Sequence, residues 1–277
     1  NDFSLSDKSI KEEISMKVSV ICITARSKPG LGRLLDSLKE QTFDGDFELV
    51  YGDRLWEDRE EAVVTLLEES GIPFKYVRDT PTQPGPCPAG ARNSCIEVAS
   101  GEYIISIDDL TFLTEDTIHS HYELFSQGFD AVAGSYLTED KEVAEFGDGW
   151  IIEDTRITNE GGVVSPTDHT VWMCWWGMHT GFSKAAWENI NGYDETFDGV
   201  YGMEDIDFGH RLKMSGCAMA WQPNLLVKCD RGSNHNDTHA QLIPHDAPTS
   251  WTRGSLKWRN DKLIDYCRAM NIVRGKR

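Results

Sequence analysis

Positive charge is scarce in this chain. Its 27 lysines and arginines stand against 46 aspartates and glutamates, a formal net charge of −19 over 277 residues. A field of that sign repels phosphate backbones, and no local basic patch offsets it, so a nucleic-acid partner is not expected. Long apolar runs are missing too. Nothing approaches the ~18–20 consecutive residues that span a bilayer, and the amino terminus has no basic segment leading into an apolar one. These absences predict a protein with neither a spanning helix nor a signal peptide, and a cytoplasmic location. Nor is there a Cys-x-x-Cys pair. The seven cysteines, Cys22, Cys87, Cys95, Cys174, Cys217, Cys229 and Cys267, are odd in number and irregularly spaced. That pattern fits reduced thiols better than a disulfide framework or a zinc site.

What is present is a globular composition, 39% hydrophobic and 10% aromatic, enough for one large α/β domain or two small ones. Residues 1–15 are polar and aperiodic and read as a tail. Lys17 to Thr24 is a continuous apolar run of the kind buried on both faces of a parallel sheet. Leu31, Leu34, Leu35 and Leu38 then recur at helical spacing. A strand over Phe47 to Tyr51, a helix from about Asp58 to Ser70 closed by Gly71, and a short strand over Phe74 to Val77 continue the alternation that signals parallel strands with crossovers. Asp79 to Ala89 is a proline- and glycine-rich loop, and Gly90 to Ala99 a helix. Later elements are a helix over Thr114 to Gly128 capped by Thr114, a strand over Asp130 to Leu137, an acidic excursion from Thr138 to Thr170, and a helix over Ser183 to Ile190. A strand over Gln222 to Val227 and a helix over Ser255 to Met270 complete the chain.

Four places carry chemistry. The run Gly101 to Thr111 ends an apolar strand in Asp108-Asp109, at the carboxyl edge where open α/β sheets bind ligands. Two adjacent carboxylates there suit a hard cation shared with phosphates, or else merely solubilise the strand end. The helix at Gly90 offers free N–H groups with Arg92 and Asn93, suited to an anion, or is an ordinary amphipathic helix. Trp172, Trp175 and Trp176 are either core or a wall that packs on sugar rings. In Gly202 to Leu212 the acids Glu204, Asp205 and Asp207 open a helix, where the macrodipole favours ionised carboxylates: a capped helix end or a general base. Downstream, His235 and His239 are candidate ligands.

Taken in order, Thr24-Ala-Arg26, Gly52-Asp53, Gly90-Ala-Arg-Asn93, Gly101-Glu-Tyr-Ile with Asp108-Asp109, Gly192-Tyr-Asp-Glu195 and the Gly202 to Leu212 motif resemble family 2 glycosyltransferases of the GT-A fold. The resemblance runs over roughly Met16 to His235. It implies a Rossmann-like, mostly parallel central sheet flanked by helices, with a carboxy-terminal acceptor-side subregion. In one continuous domain, residues 16–137 would bind the nucleotide sugar, 138–254 would bind the acceptor and carry the catalytic acids, and 255–277 would form a helix and tail. It further implies that Thr24, Arg26, Asp53, Arg92, Asn93 and Asp108 contact a nucleoside-diphosphate donor, UDP first among them. Asp109 would hold Mn²⁺ or Mg²⁺ with His235 or His239, Asp205 would be the base of an inverting transfer, and Glu204 would position the acceptor, whether glycan, lipid, protein or small molecule. Trp175, Trp176, His179 and His239 are weaker candidates for substrate contacts. Two positions depart from the family. Leu110 stands where an acid usually completes the Asp-x-Asp motif, and Ile23-Thr-Ala-Arg26 replaces the usual Pro-Thr-Tyr-Asn. Two other classes remain: a nucleotide-sugar or glycan-binding protein with a degenerate site, and a nucleotidyltransferase, against which counts the lack of a glycine-rich phosphate loop followed by lysine.

Overall fold

The computed structural model describes residues 17–139, 150–152, 154, 156, 171–199 and 202–230. The tail over 1–15, His235 and His239, the helix expected over Ser255 to Met270 and most of the acidic excursion lie outside the described residues.

Among the described residues nine strands join in one sheet: β1 (Val18–Thr24), β2 (Phe47–Asp53), β3 (Phe74–Arg78), β4 (Tyr103–Asp108), β5 (Thr111–Leu113), β6 (Ala131–Glu139), β7 (Trp150–Ile152), β8 (His179–Ser183) and β9 (Met219–Cys229). Their order is β3-β2-β1-β4-β8-β6-β9-β5, with β7 on β6. The β3-β2-β1-β4 half is parallel, as the alternation of strand and helix predicts. Beyond β4 the sheet is mixed: β8 is antiparallel to both β4 and β6, while β9 runs parallel to β6. The pairing of β6 with β9 shifts register between Gly134 and Ser135, facing Pro223 and its neighbours, where a residue without an N–H is accommodated.

Helices α1 (Leu31–Lys39), α2 (Trp56–Ser70), α3 (Pro88–Val98), α4 (Thr117–Ser126), α5 (Lys184–Asn189) and α6 (Glu204–Met214) cover the two faces. The alternation along β1 sorts the core. Val18, Val20 and Cys22 pack with Leu34, Leu38, Leu67 and Ile118 of α1, α2 and α4. Ile21 packs on the opposite face with Cys95, Ile96, Phe208 and Leu212 of α3 and α6. Both faces of the parallel half are therefore sealed, which leaves the carboxyl ends of its strands as the open edge.

Several boundaries differ from the sequence reading. Helix α3 begins two residues early because Pro88 suits a first helical turn. Helix α4 begins after Thr114, with Asp116 at its N-cap position. Glu115 and Asp116 thus precede the helix, because Thr114 hydrogen-bonds instead to the Thr117 hydroxyl and the Leu226 carbonyl. Strands β5 and β8, of three and five residues, are too short to show a period.

Trp175 is fully buried between Phe182 and Phe208. Helix α6 approaches it closely because Gly209 has no side chain: a Cβ there would overlap the Trp175 side chain and crowd the Trp172 carbonyl. We expect Gly209→Ala to destabilise the protein by roughly 1–3 kcal/mol, the usual range for overpacking. Urea unfolding of the purified variant measures it. An unchanged midpoint would mean that α6 can yield without cost.

Candidate active site

The carboxyl ends of the four parallel strands are level. Thr24 lies opposite Asp53, Asp53 opposite Arg78, and Ile23 opposite Asp108. Residues at those ends and just beyond them form one wall of a pocket, Thr24, Arg26, Arg54, Asp79, Asp108 and Asp109. Both oxygens of Asp109 are engaged: Arg26 Nε donates to Oδ1 at 2.7 Å and the Thr24 hydroxyl to Oδ2 at 2.7 Å. Asp108 is freer. Its side chain is 43% exposed, and its partner is Arg92, whose Nη2 donates to Oδ1 at 3.3 Å.

The opposite wall comes from α3 and α6. Arg92 is only 4% exposed, and it reaches across to Glu204, where Nη1 donates to Oε1 at 2.8 Å. Gly177 lies against the guanidinium so closely that a Cβ there would overlap Nη2. The Gly177 N–H in turn donates to Asp205 Oδ2 at 2.9 Å. Met203, at φ 77, turns the chain into α6 in the left-handed region that non-glycine residues rarely adopt, which aims Glu204 and Asp205 at the pocket. Burial, then the neighbouring Glu204 carboxylate, push Asp205 up to about 7, against the Gly177 N–H, Arg92 and the Ile206 N–H. A carboxyl poised there both accepts and returns a proton near neutral pH. Among the described residues, Arg92 Nε and Glu204 Oε2 are buried and find no hydrogen-bond partner.

The remaining sequence candidates lie elsewhere. Asp53 is fully buried beneath the edge, held by Arg59 at 2.6 and 2.8 Å, by the Tyr76 hydroxyl and by the Leu55 N–H. The pocket wall beside it is formed by Arg54 and Asp79, paired at 3.4 Å. Asn93 is 2% exposed and spends its amide on the Tyr193 backbone, Glu195 and Trp187. Trp175 is core, and Trp176 stacks on the buried Arg156 guanidinium at 4.6 Å. Trp172, half-buried, meets His210 edge-on at 5.0 Å. His179 is buried against His121, Nε2 to Nε2 at 2.9 Å, its pKa lowered by burial to about 4, so it lines the core and not the pocket. The N-terminus of α3, read as an anion site, is filled from within: Asp198 accepts from the Ala89 and Gly90 N–H groups at 3.0 and 2.9 Å. Sequence reasoning missed Arg54, Asp79, Gly177 and Asp198. Asp79 opens the proline-rich loop, Arg54 follows the Gly52-Asp53 motif, Gly177 follows Trp176, and Asp198 lies three residues beyond Gly192-Tyr-Asp-Glu195.

Among the described residues no cluster of three or more His, Cys, Asp or Glu is arranged for a metal ion. A divalent cation that shares its shell with phosphates needs only one or two carboxylates. Asp108, with one oxygen uncommitted at the pocket, fits that lesser demand, and Asp109 fits it on releasing Arg26. No helix among the described residues is long and apolar enough to cross a membrane.

Residues 19–198 match the model of the family described as glycosyl transferase family 2. Residues 172–231 match that of the N-terminal domain of galactosyltransferase. The chain is 28% identical over 123 residues to the GalNAc(5)-diNAcBac-PP-undecaprenol beta-1,3-glucosyltransferase of Campylobacter jejuni subsp. jejuni, a match over 44% of this chain and 39% of that protein. It also resembles S. aureus TarS 1-349 in complex with UDP, with a TM-score of 0.60 and 17% identity over 79% of this chain and 61% of that one. The mannosyltransferase PcManGT from Pyrobaculum calidifontis, in complex with GDP-Man and Mn²⁺, gives a TM-score of 0.58 and 18% identity over 91% and 65%. The chain thus spans about two fifths of that curated relative and under two thirds of these solved structures. The structural likeness identifies the fold as GT-A.

The Asp205 carboxyl carries a sign for stability. Its folded value of about 7 lies above the ordinary 3.8, so the native state keeps a proton that the unfolded chain releases. The resulting stabilisation is complete below pH ~4 and is lost as pH rises through about 7. Asp205→Asn does not titrate. Its stability should therefore gain on the wild type between about pH 4 and 7 and level off above, by a few kcal/mol at most. Urea unfolding of both proteins at half-unit pH steps tests this, and a pH-independent difference would overturn it.

Proposed function

The chain belongs to glycosyl transferase family 2, and we propose that it transfers a sugar from a nucleoside-diphosphate donor to an acceptor hydroxyl, with inversion, using Asp205 as general base. The observation that carries this is the meeting, in one pocket, of the strand-edge carboxylates Asp108 and Asp109 with a carboxyl poised near neutrality on α6. In the transfer, Asp205 takes the proton of the acceptor hydroxyl as its oxygen attacks the anomeric carbon. The bond to the diphosphate oxygen breaks on the opposite face, and its electron pair leaves with the diphosphate. Glu204, fixed by Arg92, orients the acceptor beside the base. Arg92 and Arg26 face the departing charge, and Arg54 with Asp79 frames the nucleotide end. Asp108 would hold Mn²⁺ or Mg²⁺ jointly with the phosphates, Asp109 adding to it. Such a cation neutralises the charge developing on the leaving group. A UDP donor is the first choice. The solved relatives carry UDP in one case and GDP-Man with Mn²⁺ in the other, so a donor panel includes both bases.

A second reading, a binding protein without turnover, draws on Leu110, which is packed in the core where the motif usually supplies an acid. Hydrolysis of UDP- and GDP-sugars with and without Mn²⁺ separates the two.

Removing a general base costs ~10²–10⁴ in rate. Asp205→Asn should therefore collapse turnover while leaving UDP affinity near normal, since Asp205 is assigned neither to nucleotide nor to metal. Retained turnover would refute the role, and lost affinity would move Asp205 to the donor side. Glu204→Gln, measured alongside, decides which acid moves the proton. For the cation, calorimetric titration of UDP should give tighter binding with Mn²⁺ than with EDTA. Asp108→Asn should remove more of that difference than Asp109→Asn, because Arg26 and Thr24 already engage Asp109. Equal affinity with and without Mn²⁺ in the wild type would sink the metal.

A further inference from the structure

We infer that Asp198 is a positioning residue, which clasps the first turn of α3 and so holds the proline-rich pocket wall and the catalytic turn of α6 as one unit. The inference deepens the functional reading above and rests on it.

Asp198 follows the short 3-10 turn Glu195–Phe197 and is 3% exposed. Its two oxygens accept from Ala89 and Gly90 at 3.0 and 2.9 Å, and the next residue, Gly199, donates its N–H to the Pro86 carbonyl at 2.7 Å. The fit depends on glycine. A Cβ at Gly90 would stand 3.0 Å from Asp198 Oδ2, and one at Gly85 would stand 2.8 Å from the Gly199 carbonyl oxygen. Pro86, Cys87 and Pro88 line the pocket on the other side of this contact. Asp198 therefore grips the pocket wall from behind.

The clasp is made at an electrostatic cost. Burial, with Glu195 and Glu204 nearby, pushes Asp198 up to about 7, while the Gly90 and Ala89 N–H groups oppose the rise. A carboxylate at a helix start is favoured by those N–H groups and by the dipole, so α3 supplies what makes its burial tolerable. Close to the start of α6, Gly202 and Met203 adopt positive φ of 89° and 77°. One turn further along α3 than Ala89, Arg92 binds Glu204 at the start of α6. Upstream, Asn93 binds the Tyr193 backbone and Glu195. Thus α3 holds Tyr193 and Glu195, Asp198, and Glu204 from three successive places along its length. The same helix carries Arg92 to the donor side, so a displaced pocket wall displaces Asp205 as well.

The test uses the full chain with Asp198→Ala and Asp198→Asn. Amide hydrogen exchange should quicken by about tenfold or more at Ala89, Gly90 and Gly199, the scale of one lost charge-assisted bond. UDP affinity in the presence of Mn²⁺ and donor hydrolysis at saturating donor should both fall about tenfold in Asp198→Ala. Asp198→Asn should recover part of each, because its carbonyl oxygen can still accept from Ala89. This joint loss differs from Asp205→Asn, where turnover alone falls. Unchanged exchange would overturn the clasp. Wild-type affinity and turnover in a variant whose melting temperature has dropped would reduce Asp198 to a stabilising residue and overturn the positioning role. If the wild type binds neither UDP nor GDP, the functional reading falls and the positioning role with it. If the wild type binds and only the Asp198 variants behave as wild type, this inference alone falls.

Discussion

One buried guanidinium connects the two walls of the pocket. Arg92 is anchored on α3, pairs with Glu204 on α6 and reaches Asp108 at the end of β4. A charge so deeply buried is tolerated only with close partners, and removing either acid would leave the other charges poorly compensated. The rest of the site follows from this constraint. Gly177 must be glycine for the guanidinium to pass, and its N–H then lies in place to bond Asp205. Asp205, beside a Glu204 already committed to Arg92, has its pKa raised to about 7 by burial and by that neighbour.

A second constraint is the doubly covered parallel half of the sheet. With helices on both faces, the strands have only their ends to offer, and parallel pairing brings all four carboxyl ends to one edge. Acids at that edge differ in how firmly the fold holds them. Asp53 is bound by Arg59, six positions away on α2, and Asp109 by Arg26. The arginines therefore decide which carboxylates remain available, and Asp108 is the one left most open.

The mixed half of the sheet was less legible, and for a physical reason. Strands of three to five residues pair with partners distant in sequence, and their burial comes from close approach more than from periodic side chains. Gly134 and Gly181 make room for the buried pair of His179 and His121, since a Cβ at either would collide with an imidazole. From the sequence alone His179 stood among polar candidates near an aromatic cluster. In the fold it is a neutral core residue, its proton displaced by burial.

By itself, the sequence determined the elements and the chemistry at their ends. The apolar run of β1, the heptad-like leucines of α1 and the strand ending in Asp108-Asp109 each rest on local periodicity and local residue type, which a linear reading detects. The acids opening α6 were legible for the same reason, because a helix start and its carboxylates lie within one turn. Only the tertiary structure decided which of these groups face the pocket. That outcome depends on pairs far apart in the chain: Arg26 with Asp109 across 83 positions, Arg92 with Glu204 across 112, and Asn93 with Tyr193 across 100. Such pairs leave no periodic trace, since each is settled by the geometry of two elements meeting in space, and a buried charge takes whichever partner the packing brings within reach.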